Sequence, residues 1–163
     1  MSSTYVCGNH QNWTENYSRK GAFLLCKTSN PGSNEILALP LANGETVYER
    51  IAKLTVAWSK QSDSEDSTTL GLVVGATDSA ALSKARKAAG EDVWILAPGI
   101  GAQGGDLEEA CRAGMNSNGT CMLLPVSRVI IQASVPQAAA KDFCDQINAI
   151  RKKILADDTT KSI

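Results

Sequence analysis

The sequence predicts an α/β fold built on a parallel sheet. Four short apolar runs occur in order, at Gly21–Cys26, Leu70–Gly75, Val93–Ala97 and Thr120–Leu124, and each is followed by a segment with helical character. The runs are continuous rather than alternating, as expected of strands buried on both faces in a parallel sheet covered by helices. Loops rich in glycine, serine and asparagine follow the runs, at the end of the sheet where such folds concentrate their chemistry.

The first twenty residues are polar and aromatic without clear periodicity. The first strand stops at Lys27-Thr-Ser-Asn-Pro-Gly-Ser33, a loop composition. Residues 45–59 place Val47, Ile51, Leu54 and Trp58 at helical spacing, which predicts one amphipathic helix. Residues 61–69 read as a polar, acidic surface insert. After the second strand, Thr77 or Asp78 can cap a helix that turns Ala81, Leu82 and Ala85 inward. Pro98 ends the third strand, and a glycine-rich loop runs to Gly105. Asp106 with Glu109 has capping-box spacing for a short helix to about Ala113. The fourth strand ends at Pro125-Val-Ser-Arg128. Ser134-Val-Pro-Gln137 resembles another cap, opening a helix to about Ile154. No composition shift separates a second domain, so residues 1–155 are expected to form one domain and 156–163 a flexible tail.

Composition narrows the function classes. The 163 residues carry 16 basic and 17 acidic side chains, a net charge of −1, which gives no electrostatic reason to expect nucleic acid or an anionic membrane as a partner. No apolar run approaches the ~20 residues needed to span a bilayer. Met1–Asn16 lacks the apolar core of a signal peptide, and the final Lys161-Ser162-Ile163 is not a peroxisomal tripeptide. The expected location is cytoplasmic. Cys7, Cys26, Cys111, Cys121 and Cys144 are widely spaced with no CxxC pair, so they read as reduced thiols rather than a zinc site. The sequons at Asn12, Asn16 and Asn118 are chance matches on this reading. His10, the single histidine, reads as a surface residue.

The chemistry is expected in four strand-end loops, Thr28–Ser33, Ala76–Asp78, Pro98–Gly105 and Pro125–Arg128. A glycine-rich loop after one strand and an arginine after the next suit a phosphate. Glycines let backbone amides approach an anion, and arginine supplies forked donors. Barrels commonly place such a site after their seventh and eighth strands. The third loop also satisfies G-x-G-x-x-G, as Gly99-Ile-Gly101-Ala-Gln-Gly104, which would suit a dinucleotide fold. That fingerprint needs an acid about 20 residues on, where this chain has Ser127 and Arg128. It also belongs in the first strand–helix unit, not the third. The barrel reading ranks higher.

Four motifs carry a family resemblance. Ala97-Pro-Gly-Ile-Gly-Ala-Gln-Gly-Gly-Asp106 resembles the loop after strand seven of orotidine 5′-monophosphate decarboxylases. Cys26-Lys-Thr-Ser-Asn-Pro-Gly-Ser33 resembles the loop after strand five, Gly71-Leu-Val-Val-Gly-Ala-Thr77 strand six, and Val126-Ser-Arg128 the end of strand eight. The order and spacing agree over about residues 20–155. The resemblance implies the C-terminal half, strands five to eight, of a (β/α)8 TIM barrel, acting on orotidine 5′-monophosphate in pyrimidine biosynthesis without metal or organic cofactor. It implies that Ser29 contacts the pyrimidine edge and Gln103 bridges phosphate and base. Arg128 would pair with the 5′-phosphate, with amides near Gly101 and Ser127 assisting. Many family members have glycine where this chain has Ser127. Asp145-Gln-Ile-Asn-Ala-Ile-Arg151 resembles the junction to an orotate phosphoribosyltransferase in fused UMP synthases.

The family's catalytic motif, D-x-K-x-x-D, does not occur in the sequence. Asp142-Phe-Cys-Asp145 has no lysine in place. No catalytic residue is therefore assigned in this chain, and the isolated chain is expected to be inactive. Two functions remain open: a decarboxylase segment completed by an N-terminal half, or a non-catalytic phosphate- or nucleotide-binding half-barrel. Four strands would leave two sheet edges and an uncovered inner face, expected to include Leu24, Val73, Ile95 and Leu123. Self-association, or union with a missing half, is expected.

Overall fold

A computed structural model describes residues 21–60, 70–101 and 103–161. The sequence readings on residues 1–20, including His10 and Cys7, and on the insert 61–69 lie outside the described residues.

The strands are β1 (Ala22–Lys27), β2 (Leu70–Val74), β3 (Ile95–Leu96) and β4 (Met122–Leu123). They form one parallel sheet in the order β1-β2-β3-β4, as the continuous apolar runs predicted. The helices are α1 (Ser33–Leu37), α2 (Val47–Ser59), α3 (Ser79–Ala89), α4 (Leu107–Gly114), α5 (Arg128–Ile131) and α6 (Pro136–Lys161). The last two strands are shorter than the apolar runs, but the backbone ladder continues past them: Leu72 N–H donates to Trp94 O at 2.9 Å, and Ala97 N–H to Leu123 O at 2.9 Å. Cys121 enters β4 at φ +59, which interrupts extended backbone there.

Register decides which face is the core. Leu24, Leu72, Ile95 and Met122 align across the strands, as do Leu25, Val73, Leu96 and Leu123. The first row packs beneath the helices; Leu72 and Ile95 are fully buried, and Leu24 nearly so. The second row faces away from them, with Leu25 and Leu123 38% and 42% exposed. This corrects the expected inner face. Val73 and Leu123 belong to it, whereas Leu24 and Ile95 lie on the opposite, helix-covered side. Side chains alternate along a strand, and a continuous apolar run conceals which parity points where.

The helices start where their caps dictate. Thr46 and Glu49 form a reciprocal capping box at α2. Asp78 accepts from Ala81 N–H at 2.9 Å, and Asp106 from Glu109 N–H at 2.8 Å. Ala81, Leu82 and Ala85 point into the core, as predicted. In α2 the innermost residues are Tyr48, Ala52, Thr55 and Ser59. The predicted stripe of Val47, Ile51, Leu54 and Trp58 is turned partly aside, and beyond Tyr48 the smaller Ala52, Thr55 and Ser59 take the line of closest approach. Pro136 takes the first helical position of α6, which suits a residue without an N–H. The residue preceding the helix is thus Val135, whose carbonyl accepts from Ala139 N–H, rather than Ser134. This helix continues past the expected end near Ile154 to Lys161. It packs Ile147, Ile150 and Ile154 against Leu107, Cys111 and Met115. No helix among the described residues is long and apolar enough to cross a membrane.

Candidate functional site

The four strand-end loops meet at the C-terminal end of the sheet. The first is built around a tight turn. Ser33 N–H donates to Asn30 O at 3.1 Å, and Gly32 sits at φ +82, ψ −8. With proline before it, that is a type II turn, which needs positive φ at its third residue. Ser29 stands just before the turn, exposed at the rim. A cavity of about 320 Å³ lies against this loop, lined also by Lys27, Gly75, Thr77 and Asp78.

The loop after β3 curls on itself. Gly104 N–H donates to Gly101 O at 2.9 Å, and Gly105 N–H to Gly99 O at 3.1 Å. Gly99 sits at φ +115, and a Cβ there would lie 3.1 Å from Gln103 Oε1 and 3.3 Å from Thr77 Cγ2. Glycine at 99 thus lets the Gln103 side chain fold back across the loop. Its Oε1 accepts from Ser29 Oγ at 3.5 Å, the long limit of a hydrogen bond. Gln103 also lines a second cavity of about 230 Å³, together with Ser127, Arg128, Pro98, Ile100 and Val129. Arg128 is exposed there, and among the described residues no carboxylate forms an ion pair with it.

The candidates from the sequence thus assemble around Gln103: Ser29 on one side, Arg128 and Ser127 on the other. Gly101 is placed differently. Its amide turns into its own loop, donating to Gly105 O at 3.2 Å. Two participants were missed. Lys27 is buried at the end of β1, and its position directly before the Thr-Ser-Asn-Pro-Gly loop was a usable signal. Gly75 packs against Ser29, a closeness no local pattern announces. Cys26 is no nucleophile, because burial pushes its thiol up to about 12 while Sγ donates to Tyr48 O. Among the described residues no group of three or more histidine, cysteine and carboxylate side chains could hold a metal ion.

The model of the orotidine 5′-phosphate decarboxylase / HUMPS family matches residues 8–143. The chain belongs to that family. An orotidine 5′-phosphate decarboxylase of Dechloromonas aromatica is 42% identical over 143 residues, covering 83% of this chain and 50% of that protein. The structure of Leishmania donovani OMP decarboxylase matches with a TM-score of 0.75 at 40% identity, over 86% of this chain and 52% of the other. The Leishmania donovani UMP synthase matches with a TM-score of 0.75 at 43% identity, over 84% of this chain and 29% of that one. The chain spans about half the length of the curated decarboxylases it matches. Its sheet is that portion of the decarboxylase barrel, and the four loops occupy the barrel's C-terminal face, where such folds carry their sites.

Proposed function

We propose that this chain supplies the phosphate- and pyrimidine-binding half of an orotidine 5′-monophosphate decarboxylase, a cytoplasmic enzyme of pyrimidine biosynthesis. The observation that carries the reading is the position of Gln103, bonded to Ser29 and lining the same cavity as Arg128. One amide can then touch a base and a phosphate of a single ligand. In this reading Ser29 contacts the pyrimidine edge and Arg128 pairs with the 5′-phosphate. Ser127 lines the phosphate cavity, and the Gly101 amide contributes if the loop opens around the anion. Loops that grip a remote phosphate use binding energy to close the site over the reacting carbon.

Decarboxylation breaks the bond between the ring carbon and the carboxylate, leaves the electron pair on that carbon and releases carbon dioxide. A proton must then reach the carbon. This chain carries no D-x-K-x-x-D motif to deliver it. The chain alone is therefore expected to bind but not to turn over, and an N-terminal half bearing that motif is its functional partner. A fused orotate phosphoribosyltransferase in the parent protein is consistent with the likeness of Asp145–Arg151 to such a junction. The same absence favours the second reading, a nucleotide-binding half-barrel without catalysis.

The test is a titration of the full chain and of Arg128→Ala with uridine 5′-monophosphate and with uridine. A charged hydrogen bond contributes roughly 1.5–3 kcal/mol, so the variant should lose about ten-fold or more in affinity for the nucleotide and almost none for the nucleoside. Equal losses for both would remove Arg128 from the phosphate site. Turnover of orotidine 5′-monophosphate by the pure chain would show that the proton donor lies within it.

A further inference from the structure

We infer that Lys27 is a positioning residue: its buried ammonium pins both ends of the loop that carries Ser29 and so sets Ser29 against the pyrimidine. The inference rests on the nucleotide-binding reading above for its ligand, but its geometry stands apart from it.

Lys27 is only 5% exposed at the end of an otherwise apolar strand. Burying an ammonium is costly unless hydrogen bonds replace its water. It points inward because the pairing of β1 with β2 slips between Leu25 and Lys27, so that Cys26 and Lys27 are buried in succession. Its Nζ donates to Thr28 O at 3.3 Å and to Ser33 Oγ at 2.9 Å. Thr28 is the first residue after the strand, and Ser33 the first of α1. Between these anchors lie Ser29 and the Asn30–Ser33 turn. The lysine thus closes the loop across its base.

The other side of Ser29 is set by β2. Gly75 N–H donates to Lys27 O at 2.8 Å, and a Cβ on Gly75 would lie 3.0 Å from Ser29 Cβ. Ser29 is therefore held between a pinned loop and a glycine that lets the backbones approach. Its bond to Gln103, at 3.5 Å, is already at its limit, so a small drift of the loop breaks it. A methionine at position 27 would fill much of the lysine's volume without desolvating a charge, but it could not donate to either end of the loop. That separates positioning from core filling.

The experiment uses the full 163-residue chain with Lys27→Met, Lys27→Arg, Ser29→Ala and the Lys27→Met/Ser29→Ala double variant. Each is titrated with uridine 5′-monophosphate and with ribose 5-phosphate, and amide hydrogen exchange is measured in parallel. Lys27→Met should weaken the nucleotide by about ten-fold, the loss of one polar contact, while leaving ribose 5-phosphate within about two-fold. Lys27→Arg should restore most of that loss. The double variant should bind no more weakly than Ser29→Ala, because the lysine acts through the serine. Exchange should quicken at residues 28–34 in Lys27→Met and stay unchanged in β2. Equal loss for both ligands, additive losses in the double variant, or unaltered exchange at 28–34 would each overturn the inference. If the unsubstituted chain binds neither ligand, the nucleotide reading fails, and exchange at 28–34 alone decides on Lys27.

Discussion

Arg86 offers the sharpest test of how this half-sheet is held together. It is 6% exposed, and its guanidinium donates to backbone carbonyls of Gly114, Gly90, Val93 and Cys121 at 2.8, 2.9, 2.7 and 2.8 Å. One side chain therefore ties the end of α3 to the end of α4 and to the entries of β3 and β4. Burial lowers its pKa from the ordinary value, yet an arginine stays charged. Arg86→Met keeps the apolar stem and removes all four bonds. At roughly 1.5–3 kcal/mol for each bond to a charged donor, the sum would reach about 6–12 kcal/mol. That overstates the loss, because the substitution also relieves the desolvation of the guanidinium and some freed carbonyls regain water. Breaking a buried charged network costs about 3–5 kcal/mol, and that is the expected loss. It is a large share of the ~5–15 kcal/mol that holds a domain together. Arg86→Lys keeps a charge but cannot fan out to four carbonyls, so it should recover less than half. Urea unfolding followed by tryptophan fluorescence, at one protein concentration and in one association state, measures both. A loss below about 1 kcal/mol for Arg86→Met would refute the claim that these bonds anchor the strand entries.

Three further outcomes can be measured on the same protein. Ser117 donates its N–H and Oγ to Glu91 Oε2 at 2.7 and 2.9 Å, and these bonds hold the Glu91 carboxyl below its usual range. The folded pKa is lowered, so this stabilisation is present above the unfolded value of about 4.3 and is lost as pH falls through the folded one. Glu91→Gln should flatten that part of the acid limb in urea midpoints against pH; an unchanged limb would discount the contact. Cys121 holds φ +59, which costs an L-residue about 1–2 kcal/mol. Cys121→Gly should therefore stabilise by up to about 1 kcal/mol after the entropy of glycine is deducted, read as a higher melting temperature; a lower one would contradict the strain. The row of Leu25, Val73, Leu96 and Leu123, which no helix covers among the described residues and which is flanked by two sheet edges unpaired among them, should drive self-association, and sedimentation over a dilution series should show it. A monomer that melts cooperatively at every concentration would mean the face is satisfied within the chain.

The sheet was legible in the sequence because its signals are strong and local. Continuous apolar runs bounded by glycine and proline fixed the strand order. Asp78 and Asp106 announced their helices because a short carboxylate can reach a free amide three residues on. The glycine-rich loop was legible because a chain that folds back three times needs residues tolerant of positive φ. What remained hidden has equally physical causes. Face parity at Leu24 and Ile95 cannot be read from a run that never alternates. The short α1 and α5 hold five and four residues, too few to display a period. The burial of Lys27 and Arg86 depends on tertiary partners that no local pattern shows, although the place of Lys27 before its loop marked it as a candidate. The role of Gly75 depends on a neighbour 46 positions away in sequence, Ser29.

These buried charges divide the sheet into two ends with different work. At the entry end Arg86 binds four carbonyls, Asn116 accepts from Thr120 N–H and donates to Glu91 O, and Arg151 donates to Gly119 O. Those bonds run from side chains to backbone within the fold, and they leave little capacity for a ligand. At the exit end the polar groups are looser. Ser29 and Gln103 meet at the limit of bonding distance, and Arg128 forms no ion pair among the described residues. Lys27 there commits two of its three donors to the loop itself. A barrel half that locks one end and leaves donors available at the other is arranged to spend its free hydrogen-bonding capacity on a ligand. The predicted losses follow that division: substitutions at Arg86 or Glu91 should change stability before binding, and substitutions at Arg128 or Ser29 should change binding before stability.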